Sequence, residues 1–162
     1  MTTPIIKINR QYSQFLRIVA LVLFSWLLLP AATTAKSLNN LLLELESNLN
    51  DEVWADEWDD RYESWEKECQ QAKQPQLIAK LLLELEANIQ WEAVSDQWET
   101  RREIWVSAGG KATTISQVAK LLLELENYLK KTAVDEDWRQ DDRQVWLGEI
   151  KKLLEVPVPA TT

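Results

Sequence analysis

The hexapeptide LLLELE begins at Leu41, Leu81 and Leu121, forty residues apart each time, and this spacing constrains the fold more than any other feature of the chain. A period of roughly 20–50 residues belongs to architectures in which each copy is one supersecondary unit that can bury its apolar face only against a neighbouring copy. Trp58, Trp98 and Trp138 keep the same spacing, and so do Glu46, Glu86 and Glu126. Further on, RYESW (61–65) aligns with RREIW (101–105), whereas the third copy reads DDRQVW (141–146), one residue longer. Three units follow: 37–76, 77–116 and 117–156.

Within a unit, hydrophobic periodicity changes midway. Leu38, Leu42, Leu45 and Leu49 recur at i, i+4, i+7 and i+11, one stripe of a helix. Leu41 and Leu43 widen that stripe, so the helix is expected to be buried between neighbours. The second half carries Trp54, Trp58, Tyr62 and Trp65 on one face, matched by Val94, Trp98 and Trp105 and by Val134, Trp138 and Trp146. At 100° per residue the aromatic stripe lies roughly 150° from the leucine stripe. A break near Asn50, Gln90 and Lys131 reconciles the two, giving one αα-hairpin per unit.

The expected fold is therefore all-α: three tandem 40-residue αα-hairpin repeats forming a short solenoid over residues 36–156. Its core is expected at Leu42, Leu45, Trp58, Trp65, Leu82, Leu85, Trp98, Trp105, Leu122, Leu125, Trp138 and Trp146. An antiparallel bundle of three long helices is the alternative, since no Gly or Pro separates Leu38 from Trp65. Helix starts are marked by Ser37, by Pro75 in an early turn and by Thr114 with Gln117 as a capping box. Asn50 or Thr132 is the expected cap of a second helix, and Gly109 suits a helix C-terminus. The segment 149–156 is expected to cap the array, with 157–162 as a disordered tail.

Residues 1–35 read as a signal peptide. Lys7, Arg10 and Arg17 precede an apolar run at 18–29, Pro30 breaks the helix, and Thr33-x-Ala35 fits a cleavage site. An uncleaved N-terminal membrane anchor is the alternative, although a spanning helix needs about 20 apolar residues. Three of the 18 basic residues and none of the 26 acidic ones lie in 1–35, leaving 15 against 26, a net charge of −11. Such a surface repels nucleic-acid phosphates and anionic lipid heads. The expected location is the bacterial periplasm or another extracytoplasmic space.

Composition also narrows the chemistry. The chain has no histidine and a single cysteine, Cys69. Triads that need an imidazole base and zinc sites built on His or Cys clusters are excluded. A carboxylate-only hydrolase needs two acids facing across a cleft, and the repeats single out no pair. No enzyme activity and no cofactor or metal is expected. Asp56, Glu57, Asp59 and Asp60 have the wrong spacing for a twelve-residue calcium loop and read as a solvated face. Cys69 reads as a free thiol near a helix end, with a link to a second chain as the alternative.

Eight of the nine tryptophans lie beyond residue 35. The pattern W-x-x-R-x-x-x-W at 58–65 and 98–105 sets Arg61 and Arg101 beside indole rings, and Arg143 precedes Trp146 by three. Cation–π contacts and pairing with Glu46, Glu86 and Glu126 would knit each hairpin. The candidate ligand or partner contacts are Trp91, Trp54, Arg61, Arg101, Arg102 and Arg143. Trp91 stands out because its counterparts are Asp51 and Lys131, so repeat packing does not require it. The segment SQVAKLLLELE (116–126), with the Trp-rich stretch behind it, resembles one helix of large eukaryotic chromatin-remodelling subunits; no residue role is carried over from it. The function expected is that of a non-enzymatic, exported protein-interaction or scaffold module. The alternative is an extracytoplasmic binding protein with a Trp-rich groove for a peptide or small ligand.

Overall fold

The computed structural model describes residues 36–155. The expected signal peptide and the tail at 157–162 lie outside the described residues. Among the described residues six α-helices follow in order: α1 (Leu38–Ser47), α2 (Trp58–Gln71), α3 (Pro75–Ala87), α4 (Gln97–Gly109), α5 (Ile115–Tyr128) and α6 (Arg143–Leu154). The odd-numbered helices carry the leucine stripes and the even-numbered ones the tryptophans. Pro75 sits in the first turn of α3, and Thr114 forms a full capping box with Gln117. Ser37 occupies the N-cap of α1 but makes no side-chain cap bond.

The chain breaks where the buried face must change. Short 3-10 turns at Asp51–Val53, Trp91–Ala93 and Lys131–Ala133 separate the leucine helix from the tryptophan helix of each unit. Asn50 does not cap a helix there; its Nδ2 instead donates to the carbonyl of Thr132, 2.8 Å away in the third unit.

These connectors carry the architecture. Gln90 N–H donates to Val53 O at 2.8 Å and Ala55 N–H to Asn88 O at 2.9 Å, joining units one and two. Lys130 N–H to Ala93 O (2.8 Å) and Ser95 N–H to Tyr128 O (2.9 Å) join units two and three. The same pair then recurs between units three and one: Asn50 N–H to Ala133 O at 3.0 Å and Asp135 N–H to Asn48 O at 2.9 Å. Trp65 Nε1 donates to Leu81 O and Trp105 Nε1 to Leu121 O, both at 3.0 Å, while Trp146 Nε1 reaches Leu41 O at 2.9 Å. Each tryptophan helix therefore packs between its own leucine helix and the next one, with α6 returning to α1. The three leucine helices also touch pairwise.

The expected open solenoid is corrected by this closure. A solenoid leaves its terminal units one free side each, and a protruding apolar face of that kind costs roughly 1.5–3 kcal/mol per leucine left exposed. With three units, turning the third back onto the first removes both free sides. Leu45, Leu85 and Leu125 are equally inaccessible to solvent as a result, and the described part of the expected terminal cap, 149–155, closes the ring instead, because α6 packs against both α5 and α1. All twelve of the expected core residues are buried.

The extra residue of the third unit has a local home. Trp58 and Trp65 lie seven residues apart, as do Trp98 and Trp105, but Trp138 and Trp146 lie eight apart. A single π-helical turn, Trp138–Asp142, takes up the insertion, since i→i+5 bonding accommodates one more residue per turn. Trp138 and Trp146 thereby keep an edge-on contact at 5.9 Å, close to the 5.4 Å and 5.3 Å of the other two pairs. The adjustment leaves Trp138 Nε1 buried without a hydrogen-bond partner.

Candidate binding grooves

One groove per unit opens where the connector crosses the start of the tryptophan helix. Glu46, Leu49, Asp51, Trp54, Trp58 and Tyr62 line the first. Glu86, Ile89, Trp91, Val94, Trp98 and Arg102 line the second, each forty residues later. Glu126, Leu129, Lys131, Val134 and Arg143 line the third, where Arg143 stands one further along because of the inserted residue. The first groove encloses about 340 Å³ and the third about 420 Å³. In the second, Trp91 stands between a recess of about 110 Å³ and an open one of about 400 Å³.

The floor of each groove is a buried glutamate, and the partners of these glutamates differ. In the second unit Arg102 grips Glu86 with both branches, Nε to Oε1 at 2.6 Å and Nη2 to Oε2 at 3.0 Å. Trp98 Nε1 adds a third bond to Oε1 at 2.9 Å. In the third, Arg143 takes Glu126 in the same bidentate way, with Nη2 at 2.9 Å from Oε2. Paired planar groups of this kind are the strong form of the ion pair. Both guanidinium groups are held above their usual pKa, first by the glutamate hydrogen bond.

The first unit has Tyr62 where the others have arginine. Glu46 is only 7% exposed yet makes none of the salt bridges found among the described residues. Burial pushes its carboxyl up to about 7, repulsion from Glu66 adds to this, and the Trp58 indole partly offsets it. The Tyr62 hydroxyl is raised too, by burial and then by the nearby Glu46 charge. Trp54 stacks on Trp58 at 5.1 Å, and Tyr62 lies 6.3 Å from Trp58.

Arg61 and Arg101 do not sit over indole rings, contrary to expectation. Arg61 turns to the next unit, bonding Glu84 at 2.6 and 3.0 Å, and Arg101 pairs with Glu124. They belong to the interfaces between units rather than to a hairpin. The relevant sequence signal is the first glutamate of LLLELE, which repeats at Glu44, Glu84 and Glu124. Of the candidate contacts, Arg102 is the one that forms a cation–π contact, 5.8 Å from the centroid of Trp91. Trp91 itself is 55% exposed. Arg143 serves Glu126 and does not lie over a ring among the described residues.

Third-groove chemistry is basic. Lys130 and Arg139 join Lys131 and Arg143 around it, with Lys130 Nζ on Glu92 O and Arg139 Nη1 on Lys131 O. Cys69 lines none of the three grooves; it is fully buried, its thiol 3.6 Å from Asn39 O and pushed up to about 12, first by burial and then by the Glu46 and Glu66 charges. A protonated, inaccessible thiol does not form the intermolecular link. Among the described residues no cluster of His, Cys, Asp or Glu converges as a metal site, and no helix is long and apolar enough to cross a membrane.

Residues 74–139 match the model of a family described as a domain of unknown function (DUF8799). The match starts just before α3 and ends at the opening of the π turn, so it takes in the whole second groove and excludes α1, α2 and α6. No curated protein and no solved structure matches the chain.

Proposed function

We propose that this chain is a non-enzymatic, exported helical repeat protein that acts as a protein-interaction or scaffold module through its three grooves. The observation that carries the reading is divergence on a constant frame. Glutamate floor, aliphatic wall and connector recur at each groove, while position 51/91/131 changes from Asp to Trp to Lys and position 62/102/143 from Tyr to Arg to Arg. Packing alone requires none of these differences, because the exposed rim contributes little to a core. Three rims of different charge suit a surface that distinguishes partners.

A second reading has its own observation. Trp91 presents an open aromatic face steadied by Arg102, the arrangement of a site for a small ligand or a peptide side chain.

The test is capture from the native cell envelope with the full-length chain carrying a C-terminal affinity tag. The same partner should be lost with Trp91→Ala or Lys131→Glu and kept with a surface change away from the grooves. A bound small molecule recovered with the purified protein, and lost in Trp91→Ala, would favour the second reading. Export itself is tested by N-terminal sequencing of the envelope protein, which should begin at Lys36; an intact Met1 would establish an anchor.

A further inference from the structure

We propose that the first groove is a slot for an arginine side chain of a partner protein, which takes against Glu46 the place that Arg102 and Arg143 take against Glu86 and Glu126. The inference rests on the interaction reading and names the chemistry of one contact within it. The fold carries the same carboxylate floor three times, and twice the chain fills it with a two-branched guanidinium. In the remaining unit the internal arginine is replaced by Tyr62, and Glu46 stays buried at the groove floor with the Trp58 indole as its polar neighbour.

The neighbouring arginine does not step in. Arg61 is one residue away on α2 but is fixed to Glu84 of the next unit. The slot also offers more than charge. The half-buried Trp54 and Tyr62 rings give a guanidinium aromatic faces to lie on, with Trp54 held by stacking on the buried Trp58. Asp51 and Asp59 at the rim add a field that favours a cation. A lysine would satisfy the charge but not the bidentate geometry, so arginine is the expected occupant.

Desolvation explains the direction of the coupling. A buried carboxylate without a cation is unfavourable, and an incoming guanidinium relieves that penalty. Glu66, Tyr62 and the buried Cys69 thiol lie within reach of the Glu46 charge, Asp51 and Asp59 line the same groove, and none of these groups is a cation. Binding should therefore tighten as pH rises from 6 to 8, when Glu46 gives up its proton.

The experiment is a titration of the full-length chain with acetyl-Gly-Gly-Arg-Gly-Gly-amide, followed by the indole N–H resonances of Trp54 and Trp58. Peptides carrying lysine or citrulline in place of arginine serve as controls. The arginine peptide should bind saturably, the lysine peptide at least fivefold more weakly, and the citrulline peptide not measurably. Glu46→Gln should weaken arginine binding at least tenfold. Tyr62→Arg should weaken it equally and raise Tm at pH 8, because the chain then fills its own slot. Equal binding of arginine and citrulline peptides would overturn the proposal, as would binding that survives Tyr62→Arg. Self-association that Arg139→Gln abolishes, without peptide binding, would also overturn it, because a second copy would then be the occupant. If the peptide fails while partner capture persists and depends on Trp91 or Lys131, the arginine slot falls and the interaction reading stands.

Discussion

The first repeat and its two sisters have the same core and different grooves. Leu45, Leu85 and Leu125 are buried alike, and Trp65, Trp105 and Trp146 each donate to a leucine carbonyl of the following unit. The glutamate at each groove floor shares its depth as well: Glu46, Glu86 and Glu126 are 7%, 5% and 6% exposed. Their partners separate them: Glu86 and Glu126 each hold an arginine and Glu46 holds none, while Trp98 bonds Glu86 and Trp138 leaves its indole N–H unpaired. Backbone bridges and buried indoles thus hold the architecture constant while a few rim positions change what each groove attracts.

The largest expected effects test the sameness. Leu45→Ala, Leu85→Ala and Leu125→Ala should each cost ~2–5 kcal/mol in urea unfolding, and the three losses should agree within error. An open array would instead concentrate the loss in Leu85→Ala, so a clear excess at the middle repeat would break the comparison. Next in size are changes that separate the repeats. Glu86→Ala and Glu126→Ala strand a partly buried arginine and should each destabilise by about 1–3 kcal/mol. Glu46→Ala strands none and should cost less. In double-mutant cycles Glu86/Arg102 should couple, and Glu86/Arg101 should show no measurable coupling because Arg101 faces Glu124.

Smaller still is a pH effect confined to the first repeat. Glu46 holds its proton in the folded state up to about 7, above its value in the unfolded chain. Between these two values the folded state binds more protons than the unfolded state, so stability falls as pH rises through this window. Glu46→Gln mimics the protonated form. It should match the parent near pH 4 and exceed it at pH 8, the gap opening between the ordinary glutamate range and about 7. Identical pH profiles for parent and variant would remove Glu46 from the account. The smallest effect concerns the inserted residue: Trp138→Phe should cost less than Trp98→Phe, because Trp98 Nε1 bonds Glu86 and Trp138 Nε1 bonds nothing.

Much of this was legible in the residues. The shift from leucine to aromatic stripe placed the break near Asn50, Gln90 and Lys131, and short turns stand at 51–53, 91–93 and 131–133. Pro75 and the Thr114–Gln117 box marked helix starts correctly, because capping is a local interaction that needs no tertiary context. Closure was not legible, because the bonds between Asn50 and Ala133 and between Asp135 and Asn48 join backbone atoms that any residues supply. The arginines show the same limit. Arg61 and Trp65 share a helix face in sequence, but which glutamate Arg61 meets depends on where the next repeat lies. Arg102 and Tyr62 were visible as a difference between RREIW and RYESW, and the difference acquired meaning only once Glu86 and Glu46 were seen beneath them.

The central claim is that the junction between the third and first repeats equals the other two. Amide hydrogen exchange at the six bridging N–H groups tests it most directly. Ala55 and Gln90 report the first junction, Ser95 and Lys130 the second, and Asn50 and Asp135 the third. A closed ring predicts slow exchange at all six, with protection at Asn50 and Asp135 within about tenfold of the others, a difference of roughly 1.4 kcal/mol. Rapid exchange at Asn50 and Asp135 beside slow exchange at the other four would contradict closure and return the molecule to an open array.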